Sequence, residues 1–169
     1  SFPYSVGQVP VHYNEYSTGR PYTGADKDRF RSKYLDIPNA PLYPFGYGLS
    51  YTTFSISPIE LDKPAMTKTE TIQASVTIKN EGPLSGTEVI QLYIHDRAAT
   101  VVRPVKELKH FRKIHLHPGE SQKVTFHITD RDLRFLTEHS LPESEPGTFD
   151  LYIGTDSTTT NQTQFILLP

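Results

Sequence analysis

The chain has 169 residues, 17 Lys and Arg against 19 Asp and Glu, a formal net charge of −2, and neither cysteine nor tryptophan. That length supports one domain of ordinary size with an appendage. The charge balance offers no basic stripe to nucleic acid and no polybasic segment to anionic lipid, no apolar run approaches a membrane span, and the missing thiols exclude cysteine catalysis, zinc–thiolate sites and iron–sulfur clusters.

The chain begins Ser1-Phe-Pro-Tyr4, without an initiator methionine or a signal peptide, and that start reads as the middle of something longer. Eight of the ten tyrosines fall within residues 1–51, interleaved with Pro3, Pro10, Pro21, Pro38, Pro41 and Pro44. This arm has no useful helical or strand periodicity apart from a brief alternation around Val9 and Val11, read as one short strand. Gly19 to Gly24 reads as a turn, and Asp26 to Lys33 as a charged, exposed segment. Such an arm cannot build a core alone, so it is expected to be ordered by lying on another surface. An unpaired strand at Val9–Val11 is expected either to fold back on the rest of the chain or to pair with a second copy through residues 1–14.

The run Leu42-Tyr-Pro-Phe-Gly-Tyr-Gly-Leu-Ser-Tyr-Thr-Thr-Phe54 mixes aromatics, glycine and proline, then passes straight into an alternating strand. Glycine opens backbone conformations closed to other residues, proline fixes φ, and rings at this density need a large surface to pack against. We read it as a shaped hinge that docks one domain on another, with Tyr43, Phe45, Tyr47, Tyr51 and Phe54 as the docking residues. Stacking on sugar rings is the alternative use of the same side chains. Tryptophan, the usual sugar platform, is absent, and the prolines and glycines suit a fixed hinge better than a flat surface.

From about Leu49 the pattern becomes repeated alternation. Apolar residues recur at Phe54 and Ile56; at Ile72, Ala74, Val76 and Ile78; and at Ile90, Leu92 and Ile94. They recur again at Val124, Phe126 and Ile128, at Phe149, Leu151 and Ile153, and at Phe165 and Leu167. A strand over residues 108–116 brings the total to about seven, and Pro58 suits an edge or a bulge. Asn80-Glu-Gly-Pro83, His117-Pro-Gly119 and Glu145-Pro-Gly147 are turn signals. Asp130 to Leu136 breaks the alternation and reads as one helical turn capped by Asp130. The fold class is therefore all-β: an immunoglobulin-like antiparallel two-sheet sandwich of about seven strands, preceded by the irregular aromatic and proline-rich arm.

The candidate chemistry is thin. Retaining glycoside hydrolysis needs two carboxylates about 5 Å apart with one poised as an acid. The nearest pairs, Asp130 with Asp132 and Glu143 with Glu145, sit in turns without an apolar pocket. His115 and His117 share one strand face at a metal-compatible spacing, but no third ligand is nominated, and they read as surface histidines beside a hairpin. His95, His110 and His127 fall on polar faces. Arg103, Lys106 and Lys109 read as a solvated face, with contact to another domain as the second option. Asn161-Gln-Thr163 is a sequon of weak weight. No catalytic residue, metal ligand or cofactor site is assigned.

The hinge run, together with Thr18-Gly-Arg-Pro-Tyr22, Val102-Arg-Pro-Val-Lys-Glu-Leu-Lys-His-Phe111, Pro118-Gly-Glu120, Glu145-Pro-Gly-Thr-Phe149 and Ile153-Gly-Thr-Asp-Ser157, closely resembles the C-terminal region of glycoside hydrolase family 3 enzymes, and most of all the bacterial periplasmic β-glucosidase group. The resemblance covers essentially the whole chain. It implies that residues 1–14 are the closing strand of a preceding α/β sandwich domain, residues 15–48 a linker and docking arm, and residues 49–169 the fibronectin type III-like domain. It further implies a parent enzyme that removes terminal β-D-glucosyl residues by a retaining mechanism. That parent takes its aspartate nucleophile from a barrel domain and its acid/base glutamate from the α/β sandwich, and neither motif occurs in this sequence. The implied role is a non-catalytic module whose partners are those two domains, in a periplasmic or secreted bacterial protein, with weak carbohydrate contact as a secondary expectation. A carbohydrate-binding module and a general protein-interaction module are the alternatives. An absence of cysteine fits a periplasmic sandwich and a cytosolic one equally.

Overall fold

The computed structural model describes residues 1–8, 11–17, 33–137 and 140–169. In chain order its elements are β1 (Phe54–Ile56), β2 (Glu60–Leu61), β3 (Ala65–Met66), β4 (Ile72–Asn80), β5 (Gly86–Asp96), β6 (Glu107–Leu116), β7 (Ser121–Ile128), helix α1 (Asp130–Leu133), β8 (Phe135–Leu136), β9 (Pro142–Glu143), β10 (Gly147–Gly154) and β11 (Gln162–Leu167). Every strand read from alternation after Leu49 is present. The additions are β2, β3, β8 and β9, each of two residues, a length at which alternation leaves no pattern to read. Among the described residues no helix is long and apolar enough to cross a membrane.

Two sheets form the sandwich. In the first, β4 is central, with β7 along one edge and β1 and β2 in succession along the other; β1 pairs residues 78–80 and β2 pairs residues 74–75. Pro58 lies between those two edge strands, where a residue without an N–H interrupts pairing at no cost to a central ladder. The second sheet runs β3-β11-β10-β5-β6. Its pairs are antiparallel except β3 with β11, a two-residue parallel contact of Ala65 with Ile166 and Met66 with Leu167. Strands β8 and β9 make a separate small hairpin. The β6–β7 turn is closed by Glu120 N donating to the His117 carbonyl at 3.0 Å, with Gly119 at φ 74° supplying the left-handed residue.

The inward faces make one core. Ile72, Ala74, Val76 and Ile78 of β4 and Val124, Phe126 and Ile128 of β7 pack with Ile90, Leu92 and Ile94 of β5, Phe149, Leu151 and Ile153 of β10, and Phe165 and Leu167 of β11. Burying each such side chain is worth about 1.5–3 kcal/mol, which is why alternation alone located the strands. Strand β5 departs from the rule, for every residue from Ile90 to Ile94 is buried. Alternation sends Gln91 and Tyr93 to the outer face of the sheet, and a bare sandwich would leave them wet. They are dry because the N-terminal arm crosses that outer face.

The break after β7 differs in detail from its sequence reading. Thr129, not Asp130, caps α1: Asp132 Oδ2 accepts from Thr129 N at 2.8 Å and from its hydroxyl at 2.9 Å. Asp130 turns inward, accepting from Arg134 Nε at 2.7 Å and from the Ser144 hydroxyl. Leu136, read as part of the helical turn, belongs to β8. The turn over Gly19 to Gly24 lies outside the described residues, as do the segment from Asp26 up to Lys33 and the Val9 half of the expected short strand; Val11 is not in a strand.

Candidate functional site

The hinge is held from behind by a buried polar knot on β5. Gln91, in a strand otherwise built from apolar side chains, is 4% exposed. Its Nε2 donates to the Gly46 carbonyl at 3.2 Å and to the Thr155 carbonyl, and its Oε1 accepts from the Tyr93 hydroxyl at 2.5 Å. Gly46 has φ 82°, and a Cβ there would lie 2.2 Å from Gln91 Oε1, so both the backbone conformation and the close approach require glycine. Next to it the Phe45 carbonyl accepts from Ser157 N at 2.9 Å, which ties the hinge to the loop that follows β10. That loop is itself held by Lys106, whose ammonium donates to the carbonyls of Ser157 at 2.9 Å and Thr159 at 2.8 Å and lies 4.2 Å from the centre of the Tyr152 ring.

Rings complete the knot. Phe45 stacks on Tyr13 at 4.2 Å between centroids, and Tyr13 meets Tyr93 edge-on at 5.8 Å. The Tyr13 hydroxyl oxygen also accepts from Leu108 N at 3.3 Å, and Val105 N donates to the Glu15 carbonyl at 2.9 Å, so this part of the arm runs beside the start of β6. Strand β6 carries an extra residue opposite β5 there, for the register skips Lys109.

Further out, residues 1–8 fold against residues 38–43. Phe2 N donates to the Tyr43 carbonyl at 2.8 Å and Leu42 N to the Phe2 carbonyl at 2.9 Å. Gln8 is fully buried and fixes this junction: its Nε2 donates to the carbonyls of Pro38 at 2.7 Å and Ala40 at 2.9 Å, while its Oε1 accepts from Tyr4 N at 2.5 Å. The described part of residues 1–14 therefore folds back on its own chain.

The front of the hinge is an open cleft of about 460 Å³ lined by Ser1, Phe2, Tyr43, Phe45, Tyr47 and Leu49, with backbone between them. The five aromatics read as docking residues divide at this cleft. Phe45 is half-buried in the knot, and Phe54 packs on the sandwich core. Tyr43 and Tyr47 remain 44% exposed, stacked on each other at 5.1 Å with Phe2 edge-on to Tyr43, and Tyr51 is 96% exposed. Leu49, 89% exposed, extends the same apolar surface. The mutual stacking of Tyr43 and Tyr47 occupies one face of each ring, which leaves less of a platform for a sugar.

The charged candidates are otherwise engaged. Burial by itself would raise the Asp130 carboxyl, but the Ser144 hydroxyl and the Arg134 guanidinium hold it below the ordinary carboxylate value. Hydrogen bonds from the Thr100 hydroxyl and amide likewise hold Glu145 down. Glu143 is exposed on β9, and Asp132 caps α1. His115 and His117 are edge-on neighbours at 5.5 Å, each sharing a hydrogen bond of 3.0 Å with a hydroxyl, of Thr87 and Ser85 respectively. Among the described residues no three metal-ligating side chains come together. Asn161, the sequon residue, is half-buried and uses its amide to donate to the carbonyls of Ser57 at 3.0 Å and Ile153 at 3.2 Å.

Three readings of polar residues need correction. Arg103 is no solvated cation: it bonds Glu107 at 2.6 Å and lies 4.5 Å over the Phe135 ring. Lys106 is half-buried as described, and burial lowers its pKa. His110, placed by alternation on a polar face, stacks on Phe126 and reaches Asp132 at 3.0 Å. Gln8, Gln91 and Asp96 carried no signal in the sequence, since nothing local marks a polar residue as buried. Asp96 closes β5, accepts from Ala98 N at 3.3 Å, and is pushed up by burial.

The fibronectin type III-like domain family matches residues 88–157. The periplasmic beta-glucosidase of Salmonella typhimurium strain LT2 is 47% identical over 168 residues, which are 99% of this chain and 22% of that protein. A beta-glucosidase from Listeria innocua, solved in complex with glucose, superposes with a TM-score of 0.93 at 42% identity, covering 100% of this chain and 24% of that one. The GH3 beta-glucosidase of Bifidobacterium adolescentis superposes at 0.69 with 33% identity, over 77% of this chain and 20% of the other. The chain thus spans about a fifth to a quarter of the proteins it matches.

Proposed function

We propose that this chain, a segment of a family 3 glycoside hydrolase carrying the fibronectin type III-like domain, is a non-catalytic bracing module that docks through its hinge on the catalytic domains of the parent enzyme. The observation that carries the reading is the exposed cleft of Phe2, Tyr43, Tyr47 and Leu49, with the exposed Tyr51 two residues beyond it in sequence, set on a backbone that hydrogen bonds from its own sandwich hold from behind. Isolated apolar side chains on a surface mean little, but a contiguous aromatic patch with a fixed frame suits an interface. In this reading residues 1–14 complete the preceding α/β sandwich domain, residues 15–48 are the docking arm, and residues 49–169 form the fibronectin type III-like domain. The buried aromatics of the finished interface are Tyr43, Tyr47 and Tyr51, with Phe45 and Phe54 anchoring the hinge to its own module.

The parent hydrolyses terminal β-D-glucosyl residues by double displacement, with both carboxylates on polypeptide outside this segment. Support comes from the names of the similar proteins and from the engagement of Asp130, Asp132 and Glu145 in a cap and loop staples. A periplasmic or secreted location follows the Salmonella relative.

Replacing Tyr43, Tyr47 and Tyr51 together by serine tests the proposal. In the isolated chain the melting temperature should stay within a few degrees of the unaltered chain, because these rings are exposed. In the full-length enzyme the same triple change should lower the midpoint and the turnover of a chromogenic β-glucoside. An unchanged full-length enzyme would refute the bracing role, and turnover by the isolated chain would refute its non-catalytic character.

A further inference from the structure

We infer that Gln91 is a positioning residue that fixes the docking face before any partner arrives. This rests on the bracing role proposed above and assigns it a device: the face is pre-organised from inside the module. An amide buried in mid-strand is costly unless it is satisfied, and a leucine would fill the same space without that cost. Here both donors and the acceptor are used, and they reach three separate parts of the chain. One hydrogen bond goes to Gly46 of the hinge at 3.2 Å, one to Thr155 of the loop after β10, and one comes from Tyr93 of the strand itself at 2.5 Å.

The hinge and that loop also bond each other directly, Ser157 N to the Phe45 carbonyl at 2.9 Å. Gln91 therefore stands under a closed backbone bracket whose opposite side is the cleft wall. Ring stacks also lie behind the hinge, Phe45 on Tyr13 and Tyr13 on Tyr93, and stacked rings slide with little loss. A hydrogen-bonded amide has direction. Together with the Ser157 amide on Phe45, Gln91 sets the orientation of residues 43–48 relative to the sheet, which cuts the ordering that docking would otherwise require.

Hydrogen exchange read by mass spectrometry on the 169-residue chain tests this. With Gln91→Leu, amides of residues 43–48 and 155–159 should exchange faster by on the order of tenfold, the effect of one lost buried hydrogen bond, while β4 and β7 keep their protection. Tyr93→Phe, which frees only Oε1, should move the same two segments less. Unaltered exchange at residues 43–48 in Gln91→Leu overturns the inference. Should that variant not fold, unaltered exchange there in Tyr93→Phe overturns it. The full-length enzyme separates this idea from the bracing role. Faster hinge exchange with an undiminished full-length midpoint upholds Gln91 as the fixing residue and defeats docking instead.

Discussion

Gly46 and Gln91 approach so closely that a methyl group at Gly46 would sit 2.2 Å from the Gln91 side-chain oxygen. The contact is the point at which an aromatic loop becomes part of the sandwich. Because Gly46 also has φ 82°, Gly46→Ala meets strain from two directions. The expected cost is on the order of 1–3 kcal/mol, with the loss confined to the hinge and the outer face of β5. Urea unfolding of the variant, followed by tyrosine fluorescence, measures it; a stability equal to that of the unaltered chain would mean that the hinge is free to move away from β5.

Asn80 is, after Gln91 and Gln8, another buried amide in full use. Its Oδ1 accepts from the Thr52 hydroxyl at 2.6 Å and Gly82 N at 3.1 Å, and its Nδ2 donates to the carbonyls of Leu84 at 2.7 Å and Leu116 at 3.1 Å. One side chain thus joins the approach to β1, the turn after β4 and the end of β6. Asn80→Leu leaves buried backbone groups unpaired and should destabilise by about 2–4 kcal/mol, since each orphaned group costs about 1–3 kcal/mol. Denaturant midpoints would show the shift, and a change under 1 kcal/mol, roughly one such group, would count against it.

Lys106→Met should release the loop after β10. The methylene stem stays packed, but the carbonyls of Ser157 and Thr159 lose their shared donor and Tyr152 loses its cation. A loss of about 1–2 kcal/mol is expected, together with raised proteolytic sensitivity within residues 155–160. Limited proteolysis in which that loop resists cutting as before would contradict it.

Asp96 predicts a pH dependence. Burial, the largest influence, raises its carboxyl above the ordinary carboxylate value; Glu145 adds to the rise, while the Ala98 amide, Arg103 and His95 oppose it. The folded chain therefore binds this proton more tightly than the unfolded chain, and between the two values stability falls as pH rises. Asp96→Asn removes the charge and keeps the shape. Its melting temperature should exceed that of the unaltered chain near pH 7 and converge with it once the pH falls below the ordinary carboxylate value. A constant difference across that window would show that Asp96 does not carry the dependence. Arg97 with Asp150 and Arg103 with Glu107, ion pairs at the same end of the sheet, are left intact by the substitution.

Alternation made the sandwich legible, because burying a β-branched or aromatic side chain on every second residue is the dominant favourable contribution and it is written locally. Ile72 to Ile78, Ile90 to Ile94 and Phe149 to Ile153 each announce a strand. Asp130 misled as a cap because Thr129 beside it satisfies the same helix end, and adjacent cap formers compete on geometry that one dimension does not contain. Lys106 and Arg103 looked solvated because charge predicts exposure unless a carbonyl or a ring lies close by in space.

What the sequence determined by itself was the all-β class and the positions of the long strands, since each depends on neighbours within a few residues. The tertiary structure alone decided which face of β5 the arm covers, that Gln91, Gln8 and Asn80 are buried and satisfied, and which aromatics of the arm stay exposed. Those outcomes depend on groups tens of residues apart meeting at hydrogen-bond distance, and no local pattern encodes such a meeting.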